Sequence, residues 1–235
     1  MPEGQVVRRM FAEIAPRYDL VNRVLSLGVD RAWRKAAVRE LGLAPGEHVL
    51  DACTGTGDLA LALARASVRV TGTDFCAEML VHGQPKSLPA SVARPRWLAA
   101  DTLCLPFASG TFDAATVAFG IRNVSDPVAG LAELRRVVRP GGRIVILEFC
   151  QPRVPLVRGL YLFYFRRVLP RVGRWISGER LGAYSYLPSS VMAFPEREAF
   201  LELMTRAGLG SPRYRLLTCG IAALYRAEVP QRIEA

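Results

Sequence analysis

Between residues 46 and 150 the chain repeats one unit, a short apolar run followed by a turn and a helical stretch. His48-Val-Leu-Asp51 is the first such run, and it meets the glycine turn Cys53-Thr-Gly-Thr-Gly57 before a helical segment over residues 58–66. Residues 68–73 form the next run, closed by Asp74, with a helix starting over 77–81. Residues 96–100 follow, closed by Asp101, and then 112–119. Residues 126–138 read as a helix with Asp126 as N-cap and Pro127 at the first position. Pro140-Gly141-Gly142 turns into a fifth strand over 143–149. Strands alternating with helices of this length call for a parallel, doubly wound sheet. Two late strand candidates, 214–218 and 221–227, bring the expected sheet to seven strands.

The flanks differ. In the first 45 residues Val6, Val7, Met10, Phe11 and Ile14 recur at helical spacing, Pro16 ends that helix, and a second runs over 20–41. Residues 151–190 carry seven arginines and one acid among Tyr161, Phe163, Tyr164, Phe165 and Trp175. A helix over 196–207 restores the rhythm. The expected organisation is a single domain, 1–235: a helical cover (1–45), a cofactor-binding core (46–150), a basic and aromatic insertion over the active site (151–190) and a C-terminal helix with a strand hairpin (191–235).

Composition limits the chemistry. Of 235 residues 51% are hydrophobic, enough for a sizeable core. The net charge is +10, and all but two of the 31 cations, Lys35 and Lys86, are arginine. Such a surface favours anionic partners without choosing among them. The five cysteines, Cys53, Cys76, Cys104, Cys150 and Cys219, form no CxxC pair. That excludes a disulfide framework and a cysteine zinc site, and the cysteines are read as small buried apolar side chains. His48 and His82 alone argue against a histidine metal centre, so no metal is expected. Residues 1–9 lack a signal-peptide core and no run is long enough to span a bilayer. The expectation is a cytoplasmic chain that touches the inner face of the cell membrane peripherally.

Gly55, Gly57 and Ala60 satisfy the pattern GxGxx[G/A], and Asp74 follows at the distance of a ribose-binding acid. The charges then separate two cofactors. A dinucleotide puts its pyrophosphate on the helix N-terminus, where Asp51 and Asp58 would repel it. S-adenosylmethionine has no phosphate and carries an ammonium and a sulfonium, which these acids suit. Asp74 can accept from both ribose hydroxyls. Asp101 is placed to accept from the adenine amino group. Helix capping by Asp58 and a turn at Asp101 are the plainer alternatives.

Several longer runs then resemble the ubiquinone/menaquinone biosynthesis C-methyltransferase family, most of all its demethylmenaquinone methyltransferases. They are Tyr18-Asp-Leu-Val-Asn22-Arg-Val-Leu-Ser26-Leu-Gly28-Val-Asp30-Arg-Ala-Trp33-Arg34, Phe119-Gly-Ile-Arg122-Asn123-Val, Glu148-Phe149, Gln151-Pro152, Tyr161-Leu-Phe-Tyr-Phe165 and Tyr184-Ser-Tyr-Leu. The resemblance implies a Rossmann-like class I S-adenosylmethionine-dependent methyltransferase with helices on both faces of a mostly parallel sheet. It implies ring methylation of a demethylmenaquinol to menaquinol. By motif, its cofactor positions fall on Thr56, Asp74 and Asp101-Thr102. Ala118 departs from the pattern, because many relatives carry serine or glycine there. A lost hydroxyl removes one hydrogen bond, worth about 0.5–1.5 kcal/mol.

Within that resemblance Arg122 is assigned to a developing phenolate and Asn123 to a ring oxygen, with pairing of Arg122 to Asp126 as the plainer reading. Arginine is a poor base, so it acts by charge or through water. Tyr18, Asp19 and Asn22 are expected to close the substrate pocket, with helix capping as their alternative. Glu148 is a further candidate for proton transfer. The prenyl tail gives the insertion a purpose. Leu156, Leu160, Phe163 and Val168 among Arg158, Arg166, Arg167, Arg171 and Arg174 suit an anionic membrane surface, through residues 151–182. Competing readings are the 2-methoxy-6-polyprenyl-benzoquinol C-methylase of ubiquinone synthesis, a nucleic-acid methyltransferase, a nicotinamide oxidoreductase and a non-catalytic quinone-binding protein. No Asn/Asp-Pro-Pro-aromatic motif follows the fourth strand and no Pro-Cys occurs, so no nucleic-acid partner is expected. Oligomeric state stays open.

Overall fold

The computed structural model describes residues 4–178 and 182–231. It begins with α1 (Gly4–Ile14), α2 (Tyr18–Leu25) and α3 (Val29–Leu41). Pro16 lies in the short 3-10 turn that closes α1. The one helix expected over 20–41 is two. Leu27 (φ 52°) and Gly28 (φ 77°) are both left-handed, and Gly28 N donates to Ser26 Oγ at 3.2 Å. This local turn satisfies backbone groups that helix continuation would otherwise need. The Ser26 hydroxyl also donates to Asp30 Oδ1 at 2.6 Å, within the first turn of α3.

The alternating region gives β1 (His48–Ala52), α4 (Asp58–Ala64), β2 (Arg69–Asp74), α5 (Ala77–Gly83), β3 (Arg96–Ala99), β4 (Phe112–Ala118), α6 (Pro127–Val137) and β5 (Val138–Phe149). Asp126 caps α6, accepting from Val128 N and Ala129 N at 3.0 Å each. β5 is longer than expected, because Val138 already pairs with Phe112 before the Pro140–Gly142 excursion. The insertion is helical: α7 (Pro155–Phe163), α8 (Leu169–Ser177) and α9 (Ala183–Ala193), with a π-helical turn at Tyr164–Val168. Pro170 follows that turn and has no N–H to donate. α10 (Glu198–Arg206), β6 (Gly210–Leu217) and β7 (Ala222–Glu228) complete the chain.

The strands form one seven-stranded sheet in the order β3-β2-β1-β4-β5-β7-β6. The first five are parallel, and β7 runs antiparallel between β5 and β6. Side chains alternate across it. Ile144 and Ile146 join Leu131, Leu134 and Phe200 on one face, while Val145 and Leu147 join Ala37, Leu41 and Leu63 on the other. A third core of Met10, Ile14, Val21, Tyr161, Phe165 and Leu169 unites the N-terminal helices with the insertion. Phe149 at the end of β5 and Ile221 before β7 pack against it, which sets this helical layer beside the carboxyl ends of the parallel strands.

Only Cys76 and Cys150 are buried; Cys53 is half-buried and Cys104 and Cys219 are exposed. The expectation of five buried cysteines fails because the last two sit in turns. Cys104 N closes a turn onto Asp101 O, and Cys219 is left-handed (φ 53°) between β6 and β7.

Candidate active site

Two cavities lie beyond the carboxyl ends of the strands, where α/β sheets carry their ligands. The smaller, about 130 Å³, is lined by Asp51, Gly55, Thr56, Asp74, Asp101, Thr102, Ala118 and Asn123. These are most of the residues the sequence assigns to a cofactor, with Asn123 added. Asp51, next to last in β1, is almost fully buried. Its Oδ2 accepts from Thr54 Oγ1 at 2.5 Å, and its Oδ1 has no partner. Burial pushes its carboxyl up to about 7, against smaller opposing effects of Thr54 and Arg34. Asp74 accepts from Cys76 N at 2.9 Å and Gly55 N at 2.7 Å, which pins the carboxylate to the glycine turn. Burial raises it to about 6.

Three assignments change. Gly57 (φ 78°) does not line the cavity. A Cβ there would lie 2.2 Å from the Trp97 ring, so its open side is filled by protein rather than offered to a ligand. Asp19 lines neither cavity. It pairs with Lys86 at 2.5 Å and accepts a short hydrogen bond from Thr56 Oγ1, which ties α2 to the glycine turn. Asp58 is not the bare charge the cofactor reading assumes, because Lys86 Nζ lies 2.5 Å from its Oδ1. Burial pushes the Asp58 carboxyl up, but Lys86 and Arg34 outweigh it and hold the pKa below the ordinary value. Lys86 is shared with Asp19, so two carboxylates face one cation, and the case against a phosphate at this turn rests on the remaining negative charge of that cluster together with Asp51. Asp101 does form the turn expected of it as an alternative, accepting from Leu103 N at 2.9 Å.

The larger cavity, about 350 Å³, is mainly apolar and aromatic. Tyr18, Asn22 and Arg122 line it, as do Trp33, Phe149, Tyr164, Thr218 and Ile221, which the sequence does not single out as site residues. Phe11, Tyr18, Arg34 and Phe119 belong to both cavities and form the wall between them. Phe119 is left-handed (φ 58°), a conformation that costs a bulky residue roughly 1–2 kcal/mol. Its ring packs in tilted contact with Phe149 and Trp33, at centroid distances of 4.5 Å and 5.9 Å. The next residue, Gly120, passes so near Cys53 that a Cβ would approach its side chain to 2.3 Å.

Arg122 and Asn123 face different cavities. Arg122 Nη1 donates to Glu148 Oε1 at 3.0 Å and to Phe119 O, and its guanidinium lies 5.5 Å from the Phe149 ring centre. Its acid is therefore Glu148, not Asp126, which is occupied capping α6. Burial raises the Glu148 carboxyl, and Arg122 opposes that. Asn123 Oδ1 accepts from Tyr186 Oη at 3.2 Å, linking the smaller cavity to the insertion. Burial raises the Tyr18 phenol, with Arg34 and Arg122 opposing.

A Rossmann-like parallel sheet with this glycine turn, acids at successive strand ends and an adjoining apolar cavity defines a class I methyltransferase architecture. The structure of a SAM-dependent methyltransferase from Aquifex aeolicus shares the fold, with a TM-score of 0.60 at 19% identity over 83% of this chain and 89% of that one. The chain belongs to the ubiE/COQ5 methyltransferase family, whose sequence profile matches residues 2–228. It is 49% identical to a Citrifermentans bemidjiense protein named ubiquinone/menaquinone biosynthesis C-methyltransferase UbiE, over 95% of this chain and 96% of that one. It is 48% identical to a Deinococcus radiodurans demethylmenaquinone methyltransferase, over 95% and 92%.

Proposed function

We propose that the chain is an S-adenosylmethionine-dependent C-methyltransferase that converts a demethylmenaquinol to menaquinol. The observation that carries this reading is the pair of cavities sharing one wall, one acid-lined and one aromatic and apolar. The acid-lined cavity fits the cofactor, since a buried carboxylate oxygen of Asp51 awaits a cation. Bound there, the cofactor supplies a methyl group already activated by its sulfonium. Asp74 holds the ribose hydroxyls, Asp101 and Thr102 the adenine, and Asp51 the ammonium, with Gly55 and Thr56 shaping the loop. Gly57 keeps the turn in shape through Trp97, and Ala118 contributes surface without a hydrogen bond.

In the larger cavity Tyr18, Asn22 and the aromatic rings bind the quinol head and exclude water. Arg122 stabilises phenolate character by charge, and Glu148 fixes Arg122 and offers a site for a proton; Asn123, on the cofactor side of the wall, acts on the acceptor cavity through Tyr186 as a positioning residue rather than on a ring oxygen directly. Holding both reactants in line is the main catalytic contribution of such a site. Asp19 acts on the cover rather than on the substrate.

The prenyl tail leaves past Leu27, which lines the larger cavity and is 88% exposed. Leu20, Leu156, Leu160, Phe163 and Trp175 are also exposed, whereas Val168 is half-buried and drops out of the expected apolar face. Among the described residues no helix is long and apolar enough to cross a membrane. These side chains, set among arginines, support peripheral contact with an anionic bilayer. The test is incubation with S-adenosylmethionine and a chemically reduced, short-tailed demethylmenaquinol, beside a parallel reaction on the methoxy-benzoquinol. Gain of one methyl by the naphthoquinol supports the reading; methylation of the benzoquinol alone moves it to the ubiquinone branch.

A further inference from the structure

We propose that Arg34 binds the carboxylate of the cofactor's amino-acid end, an inference that rests on the cofactor reading above. The smaller cavity is lined by four acids but only two cations, Arg8 and Arg34. The two cations stand in different settings. Arg8 is half-exposed and pairs with Glu78 of α5 at 3.5 Å, on the side of the cavity formed by Phe75 and Cys76 after β2. That is the ribose side, since Asp74 ends β2. Arg34 stands at the wall shared with the acceptor cavity, where the reacting end of the cofactor must lie.

Arg34 is also prepared for an anion. Its side chain is only 13% exposed. One terminal nitrogen, Nη1, pairs with Asp30 Oδ2, while Asp30 Oδ1 accepts from Ser26. The guanidinium lies 5.9 Å from the centre of the Phe119 ring. A guanidinium has five N–H donors in a planar fork, so one contact to Asp30 leaves donors for a second carboxylate. The need for a cation here is physical. The cofactor's amino-acid end is a zwitterion, and Asp51 offers its free oxygen only to the ammonium. A carboxylate taken into the same buried site needs its own counter-charge. Arg34 acts electrostatically on both Asp51 and Asp58, which sets it at that end of the cavity.

Titration calorimetry with two ligands tests this: S-adenosylhomocysteine, and its decarboxylated analogue, which keeps the amine. Wild type and Arg34→Met are each titrated with both. The expected result is a loss of about 10- to 100-fold for S-adenosylhomocysteine in the variant, with the analogue changed less than about threefold. Any general damage to the pocket weakens both ligands together and cancels in the comparison. Equal losses for the two ligands, or no loss for either, overturn the inference and leave the cofactor reading intact. A wild type that binds neither ligand overturns both. Arg34→Lys, which keeps the charge and loses the fork, is expected to fall between the two and serves as the test if Arg34→Met does not fold.

Discussion

Nη1 of Arg122 donates to Oε1 of Glu148 across 3.0 Å, and neither side chain is more than 5% exposed. This buried pair joins the loop after β4 to the end of β5 and carries the guanidinium that faces the acceptor cavity. Removing one partner leaves the other charged and unpaired, which in buried pairs costs about 3–5 kcal/mol. Arg122→Met is therefore expected to lose both stability and turnover. Arg122→Met/Glu148→Met should recover most of the stability in urea denaturation while remaining inactive. A double variant that regains activity would remove Arg122 from the reaction.

The raised Asp51 carboxyl, at about 7, gives a defined pH dependence. Its folded pKa lies above the unfolded value, so the unliganded fold loses stability as pH rises from about 4 to 7 and changes little above that. Cofactor binding requires the ionised form, so affinity should improve over the same interval and level off above pH 7. Asp51→Asn should be more stable than wild type at pH 8 by about 2–4 kcal/mol, with the advantage gone near pH 4. Its cofactor affinity should be weak and lack the wild-type rise near pH 7. Thermal denaturation and calorimetry across pH check both signs.

Gly57 is the turn position with least tolerance. Its left-handed φ of 78° opposes a side chain, and so does the Trp97 ring, 2.2 Å from where a Cβ would stand. Gly57→Ala should lose about 2–4 kcal/mol in urea denaturation, the sum of backbone strain and overpacking. Gly55, whose Cβ would stand 3.5 Å from the flexible end of Met79, should lose less stability and more cofactor affinity.

The local parts of this site were legible in the sequence because their signals are local. Asp51 and the glycines follow a short apolar strand, and Asp126-Pro127 announces the start of α6. What escaped depends on contacts across long stretches of chain. Trp97 on β3 closes over Gly57, and the acceptor cavity draws Trp33, Phe149, Tyr164 and Thr218 from four separate segments. Lys86 could have drawn attention as one of only two lysines, but nothing near it in sequence names Asp19 and Asp58 as its partners. The helix break at Ser26–Gly28 carried a signal in its Ser-Leu-Gly run, which helical periodicity on either side outweighed.

Lys86 links the cover to the cofactor turn, so Lys86→Met should loosen α1 and α2. Lys86 is only 20% exposed, and its loss leaves the partly buried Asp19 and Asp58 without their shared cation, so a stability loss of about 1–3 kcal/mol is expected. The sharper effect should be faster hydrogen exchange over residues 4–25 and faster cofactor release. Unchanged exchange there would mean that the apolar contacts of Met10, Ile14 and Val21 hold the cover alone.

Leu27 at the cavity mouth separates tail binding from chemistry. Leu27→Ser should raise KM for a long-tailed acceptor several-fold, leave a short-tailed acceptor almost unchanged, and reduce binding to anionic vesicles. An equal rise for both acceptors would place the tail elsewhere.

The most direct measurement follows the methyl group itself. Cofactor labelled at the sulfonium methyl is incubated with the protein and reduced demethylmenaquinol, and the product is examined by carbon NMR. Label bonded to a ring carbon of the naphthoquinone, and lost in Arg122→Ala, is the expected result. Label on a ring oxygen, or label that never leaves the cofactor although both ligands bind, would contradict ring methylation at the wall between the two cavities.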